Sequence, residues 1–178
     1  MKGMVFCLLN EMVEEKFGIE AWDTLLDATG FDGIYVATET YDDAELMSLV
    51  SAASEATGIQ PEELVKQFGE YMIPSFLVSY PMFFQGHANL KSFLLTVDQV
   101  IHVEVRKLYP EAGLPEFKYT DKNDSELTMH YSSPRKLCAL AEGLISGSAK
   151  HFKQEYNLLH EVCMHDGDDH CELQIKML

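Results

Sequence analysis

Tyr131-Ser132-Ser133-Pro134-Arg135 is the stretch at which the chain changes its period. Just upstream, Phe117 to Tyr119, the turn residues Asp121-Lys122-Asn123-Asp124, and Glu126 to Tyr131 read as a β-hairpin. Just downstream, Leu137, Leu140, Ala141, Leu144 and Ser148 fall on one helical face, which Phe152 continues. Ser133 with Pro134 predicts the start of that helix, as an N-cap followed by a first-turn proline. Within the stretch a phenol, a hydroxyl and a guanidinium stand at alternate positions. On extended backbone these three donors point the same way, an arrangement suited to a carboxylate pair or a phosphate. A cation at a helix start opposes the helix dipole, and a bound anion removes that conflict. The residues alone leave two readings open: an ordinary strand end with a good cap, or an anion clamp.

Working outward, the first half reads as helices. Val5, Leu8, Leu9, Met12, Val13 and Phe17 make a helical stripe over Met4 to Phe17. Trp22, Leu25 and Leu26 suggest a second helix ended near Gly30, and Gly33-Ile34-Tyr35-Val36 a brief extended piece. Asp42 with Glu45 opens another helix, closed by Gly58, and Pro61 begins the next. Pro74 and Pro81 flank an apolar stretch that reads as irregular and as the lining of a core or pocket. A single helix is expected from about Asn89 to Leu108, stopped by Pro110. The end, Leu158 to Met164 and then Cys171 to Met177, reads as a second hairpin. Helices first and an antiparallel sheet with an inserted helix later predict an α+β fold in one domain.

Composition removes several classes of function. The 178 residues suffice for one substantial core, and 47% hydrophobic with 24% charged residues is ordinary globular composition. A net charge of -16 disfavours nucleic acid and anionic lipid. No apolar run is long enough to span a membrane, and the N-terminus meets acidic residues too soon for a signal peptide. The expectation is a cytoplasmic protein with no nucleic-acid or membrane partner. No Walker loop, dinucleotide fingerprint or nucleophile elbow is present.

Two groups of residues remain that carry chemistry. His102, in Val100-Ile101-His102-Val103-Glu104-Val105, has Asp98 and Arg106 at helical spacing. It is either a helix histidine with a polar neighbour or an axial ligand to heme iron. The second group is Cys138 with His160, Cys163, His165, His170 and Cys171. Three cysteines and a histidine suffice for tetrahedral zinc, and reduced cysteines in a core are the alternative. His160 and Cys163 are three apart, so a turn is needed to bring them to one side. His160 to His165 has one residue too many for the zinc-protease motif, and Asp166 to Asp169 is too short for a calcium loop.

Together these residues resemble the heme nitric oxide/oxygen binding (H-NOX) family over essentially the whole chain. The resemblance rests on Met1-Lys2-Gly3, on His102-Val103-Glu104-Val105-Arg106-Lys107-Leu108-Tyr109-Pro110, and on Tyr131-Ser132-Ser133-Pro134-Arg135, which matches the family's Y-x-S-x-R signature. It implies a single domain over residues 1–178, with heme b between a helical distal part and a proximal part containing the sheet. It implies that His102 ligates the iron, that Tyr131, Ser133 and Arg135 hold the propionates, and that Pro115 presses on the heme. Leu140 and Leu144 join these as expected cofactor contacts. Oxygen-binding members are similar but place a tyrosine where Leu140 stands, so the resemblance implies a sensor of nitric oxide (and carbon monoxide) that excludes oxygen. Tyr71 and Tyr80 are two other tyrosines able to supply a donor.

The resemblance further implies a non-enzymatic signal. Gas binding loosens the His102 link, the two parts shift, and a separate histidine kinase or cyclic-di-GMP enzyme responds, as for bacterial stand-alone relatives. Some of these relatives carry a zinc site, which Cys138, His160, Cys163 and Cys171 match. An oxygen-binding heme sensor and a zinc-binding redox sensor are the alternative functions.

Overall fold

In the computed structural model, which describes residues 1–110 and 112–178, the N-terminal stripe forms α1 (Gly3–Phe17) and buries Val5, Phe6, Leu8, Leu9, Met12 and Val13. Helix α2 (Ile19–Thr29) ends where Gly30 takes left-handed backbone at φ 76° and donates its N–H to the Leu26 carbonyl. Helix α3 (Asp43–Thr57) starts where the Asp42 carboxylate accepts the Ala44 N–H at 2.9 Å, and it closes on Gly58. Helix α4 (Pro61–Ser79) begins on its proline. Phe6, Trp22, Leu46, Leu49, Phe68 and Met72 fill the cluster among these four helices.

The sheet belongs to the last third. Strands β1 (Glu116–Asn123), β2 (Glu126–Ser132), β3 (Tyr156–Leu159) and β4 (Cys171–Met177) pair antiparallel in the order β1-β2-β4-β3. Leu127, Met129, Tyr131, Cys171, Leu173 and Ile175 point into the second apolar cluster. Helix α7 (Cys138–Phe152), inserted between β2 and β3, packs along α4. The small residues of α7 serve that approach: a Cβ on Gly143 would overlap the Lys66 carbonyl oxygen, and one on Gly147 would lie 2.8 Å from the Glu70 oxygen. The α+β class is as expected. Phe76 and Leu144 lie against both clusters, so they mark the seam between the helical part and the sheet part.

Five local expectations are corrected. The strand expected from Leu158 to Met164 ends at Leu159, with irregular chain beyond it. The Gly33 to Val36 piece joins no sheet, and its Tyr35 ring stacks on Phe6 with centroids 4.4 Å apart. The stretch after Pro74 is helical, because α4 runs through the proline to Ser79. An interior proline costs about 3 kcal/mol through its lost hydrogen bond and ring clash. Burial of Met72 and Ile73 and the close α7 contact at Gly147 offset this.

The helix expected over Asn89 to Leu108 is broken into α5 (Leu90–Leu94), a π-turn (Val97–Ile101) and α6 (His102–Leu108). The sheet draws on its polar groups: the Asp98 N–H donates to the Tyr119 hydroxyl at 3.2 Å, and the Asp98 carboxylate accepts the Phe117 N–H at 3.2 Å. The first hairpin turns at Asp124-Ser125, beyond the position expected, with a bulge between Asp121 and Asn123. Lys91, nearly buried, holds the extended end of β1 through Asp121 at 2.5 Å.

The fifth correction concerns the opening stretch. Ser133 and Pro134 do not begin α7, which starts at Cys138. They form a turn in which Ser133 accepts the Lys136 N–H at 3.1 Å, and Lys136 sits at φ 51°, a backbone conformation that no helix includes. Arg135 is therefore in the turn before the helix, and the helix-dipole argument does not apply to it.

Candidate functional site

His102 is the first residue of α6, immediately after the π-turn. Such turns are rare and concentrate at functional positions. Its side chain is 12% exposed and its Nδ1 lies 3.5 Å from Asp98 Oδ1. That nitrogen is buried and makes no hydrogen bond among the described residues. Burial pushes the imidazole pKa down, with Asp98 opposing, so the ring is held neutral. Phe117 lies against it, ring centroids 5.8 Å apart, and Pro115 is half-buried beside it in sequence order before β1.

Tyr131, Ser133 and Arg135 do come together, through the turn rather than through a straight strand. Tyr131 is 2% exposed, and its phenol oxygen accepts the Leu137 N–H at 2.9 Å, which leaves the phenol proton to donate elsewhere. Burial pushes this phenol's pKa up, so it stays protonated, despite contacts to the Ser133 hydroxyl and the Leu137 amide. The Ser133 hydroxyl, also buried, accepts the Arg135 N–H at 3.3 Å. Arg135 reaches across to α3 and donates from Nε to Asp43 Oδ2 at 2.6 Å. Sequence reasoning missed Asp43, whose only signal was its place in the first turn of a helix. Burial raises the Asp43 carboxyl pKa, but bonds from the Met1 nitrogen and Arg135 outweigh it and hold it below the usual range.

Leu140 and Leu144 are half-buried on α7, both against the α1–α4 cluster. Neither tyrosine singled out earlier turns a free hydroxyl towards them. The Tyr71 hydroxyl donates to Glu15 Oε2 at 2.8 Å on an exposed surface, and that of Tyr80 meets Met4 Sδ at 3.5 Å.

A second constellation forms behind the sheet. One donor atom from each of Cys138, His160, Cys163 and Cys171 lies within 4.8 Å of the others. Cys163 Sγ is 3.9 Å from both Cys138 Sγ and Cys171 Sγ. Four ligands about 2.3 Å from a tetrahedral zinc have sulfurs about 3.8 Å apart. The irregular segment after β3 supplies the turn that His160 and Cys163 needed. His160 Nδ1 contacts Glu142 Oε1 at 2.7 Å, and Lys66 Nζ donates to Glu142 Oε2 at 2.9 Å. The other nitrogen, Nε2, is buried and has no hydrogen-bond partner among the described residues. Burial and neighbouring thiols push the Cys138 thiol up, and burial pushes Cys171 up as well. His165 and His170 stand outside this group: His165 contacts the Lys136 carbonyl at 2.8 Å, and His170 faces the other side of the sheet.

Comparison with known proteins decides the family. The Haem-NO-binding family model matches residues 2–160. The chain belongs to the H-NOX family of heme gas-sensor domains. An H-NOX protein from S. oneidensis, solved in the Fe(II)NO ligation state, is 34% identical, covers 100% of this chain and 99% of its own, and superposes with a TM-score of 0.94. The Fe(II) unliganded H-NOX protein from K. algicida is 29% identical over 100% of this chain and 97% of its own, with a TM-score of 0.93. The soluble guanylate cyclase gcy-34 of Caenorhabditis elegans is 24% identical over 84% of this chain. The match takes in 23% of that cyclase, so the chain spans about a quarter of the curated relative. Two cysteines of the sulfur cluster, Cys163 and Cys171, lie beyond the matched H-NOX residues.

Proposed function

We propose that this H-NOX chain holds heme b and senses nitric oxide, with carbon monoxide also admitted and oxygen excluded. When bound, the heme supplies a ferrous iron at which a diatomic gas coordinates. The observation that carries the reading is His102, a mostly buried imidazole that burial holds neutral, at the end of a π-turn. A neutral imidazole is the form that ligates a metal. Asp98 stands near Nδ1, which leaves Nε2 as the nitrogen proposed to face the iron. Tyr131, whose oxygen accepts the Leu137 N–H, keeps its proton for a propionate, and the Ser133 hydroxyl lies beside it. Arg135 brings the permanent charge, and Pro115 precedes the strand that carries Phe117 against the imidazole. A propionate at Arg135 competes with Asp43 or shares the guanidinium with it.

The gas preference rests on Leu140 and Leu144. Bound oxygen gains from a hydrogen-bond donor, and these two side chains offer none. Tyr71 and Tyr80 spend their hydroxyls on Glu15 and Met4. The test is an absorption spectrum of the reduced protein. A Soret band that shifts with nitric oxide and not with air supports the reading, and a stable ferrous-oxy spectrum overturns it.

His102 also carries the output. The π-turn that precedes it is tied to β1 through Asp98 and Tyr119, so a displacement of His102 is felt in the sheet. This is a two-state element that a ligand biases. The effector is proposed to be a separate histidine kinase or cyclic-di-GMP enzyme. In the nematode cyclase, by contrast, the matching region occupies a fraction of a longer chain. If His102→Ala left nitric oxide-dependent control of that partner intact, this role for His102 would fall.

A second reading is favoured by its own observation. We propose that Cys138, His160, Cys163 and Cys171 bind a structural zinc ion. The sulfur spacing of 3.9 Å, the unpartnered His160 Nε2 and the Glu142 contact on Nδ1 support a closed site with an oriented histidine. Thiolates held by zinc react with oxidants, so the site also suits a redox response, and reduced thiols suit a cytoplasmic setting. Metal analysis of protein purified under reducing conditions tests it: about one zinc per chain is expected, and its absence counts against the site.

A further inference from the structure

On the sheet face opposite Cys171, a second group of metal-ligating side chains converges. His130 on β2 and Glu172 on β4 are directly paired across the strands, and His170 precedes Cys171. One donor atom from each of the three lies within 4.8 Å of the others. Glu172 Oε1 is 3.7 Å from His130 Nδ1 and 3.6 Å from His170 Nε2. Donors about 2.1 Å from a tetrahedral ion are about 3.4 Å apart, so a small inward movement of these side chains closes the set.

The outer nitrogens are already engaged. His130 Nε2 lies 2.8 Å from Thr120 Oγ1, a diagonal neighbour on β1, and His170 Nδ1 lies against the Asp169 carboxylate. An oxygen partner on one ring nitrogen fixes the tautomer that leaves a lone pair on the other. Here both inward nitrogens face the same Glu172 oxygen. Side chains 25%, 32% and 27% exposed leave the group open to an ion and to completing waters. The strand period separates this group from the sulfur cluster: residues 170 and 172 point away from the side that Cys171 occupies.

We propose that His130, His170 and Glu172 form a binding site for a divalent transition-metal ion, with Zn²⁺ or Ni²⁺ as the class that two imidazoles and a carboxylate favour. An ion there ties β2 to the start of β4, and through Thr120 steadies the position of β1. The site uses none of the residues assigned to heme or to the sulfur cluster, so its fate is separate from theirs.

The test is equilibrium dialysis of the heme-loaded protein against Zn²⁺, with metal counted per chain and thermal unfolding followed with and without added Zn²⁺. The expected result is that His130→Gln and Glu172→Gln each bind about one zinc fewer than the unaltered protein. Both variants should keep the heme spectrum and the zinc that Cys163→Ser removes. Added Zn²⁺ should raise the unfolding midpoint of the unaltered protein and not that of the variants. An unchanged zinc count in both variants overturns the proposal and leaves a hydrogen-bonded surface cluster. An equal loss in His151→Gln, a histidine outside the group, overturns it as well, because the extra zinc would then be adventitious.

Discussion

His102 and His160 are both mostly buried imidazoles with a carboxylate at Nδ1, yet they are held differently. Glu142 contacts His160 at 2.7 Å and is itself held by Lys66. Asp98 stands 3.5 Å from His102, beyond a good hydrogen bond, and is itself committed to the Phe117 N–H. The first arrangement locks a ring in place, as a closed structural metal site requires. The second leaves a ring less constrained at the end of an unusual helical turn, as the role proposed for His102 requires. A tight second contact favours permanence, and a loose one favours response.

The largest test of this contrast is His102→Ala. It should abolish nitric oxide-dependent control of an effector while leaving zinc content unchanged, read by effector activity and metal analysis. Cys163→Ser should do the reverse: in protein purified without added Zn²⁺, zinc falls from about one per chain to none and the unfolding midpoint drops, while the Soret response to nitric oxide persists. Loss of both properties in either variant would break the separation of the two sites.

Gly143→Ala presses on the packing that holds the rigid side. Its Cβ would overlap the Lys66 carbonyl, so α4 and α7 must part, and overpacking of this kind costs about 1–3 kcal/mol. Chemical denaturation measures it, and a cost near zero would show that the seam yields freely. Leu140→Tyr sharpens the sensor side by adding one donor. One hydrogen bond is worth about 1 kcal/mol, so oxygen affinity should rise several-fold, read from ferrous-oxy spectra in air.

The smallest effect is a pH dependence at the tether between the halves. The Asp43 carboxyl titrates below its ordinary value in the folded protein because Arg135 and the Met1 nitrogen bond it. Its contribution to stability is therefore present above the unfolded carboxylate pKa, about 3.9. It is lost as pH falls below that value through the depressed folded pKa. Asp43→Asn should flatten the acid limb of the stability curve, and an unchanged limb would show that the contact with Arg135 contributes nothing.

Much of the fold was legible because its signals are local. Asp42, Gly30, Gly58 and Pro61 set helix ends through contacts within a turn, so their positions were read correctly. Pro74 misled, since the packing that keeps α4 helical through it comes from Gly147, seventy-three positions away. Ser133 and Pro134 carry the composition of a helix start, yet Lys136 at φ 51° defers the helix to Cys138. The π-turn before His102 had no sequence signal, because β1 supplies the groups that distort it. His170 was grouped with the cysteines, although it lies just before β4 and turns to Glu172 on the other face.

The sequence by itself determined the family, the helix caps, the alternation of the strands and the set of residues able to carry chemistry, because residue type and short spacing decide those. Only the tertiary structure decided which of them meet. The cluster of three cysteines and His160 spans Cys138 to Cys171, the group of His130, His170 and Glu172 joins β2 to the start of β4, and Arg135 reaches Asp43 on a helix from the other half. Convergence over such separations is set by strand register and by how closely α4 and α7 approach, and neither is written in any short stretch of the chain.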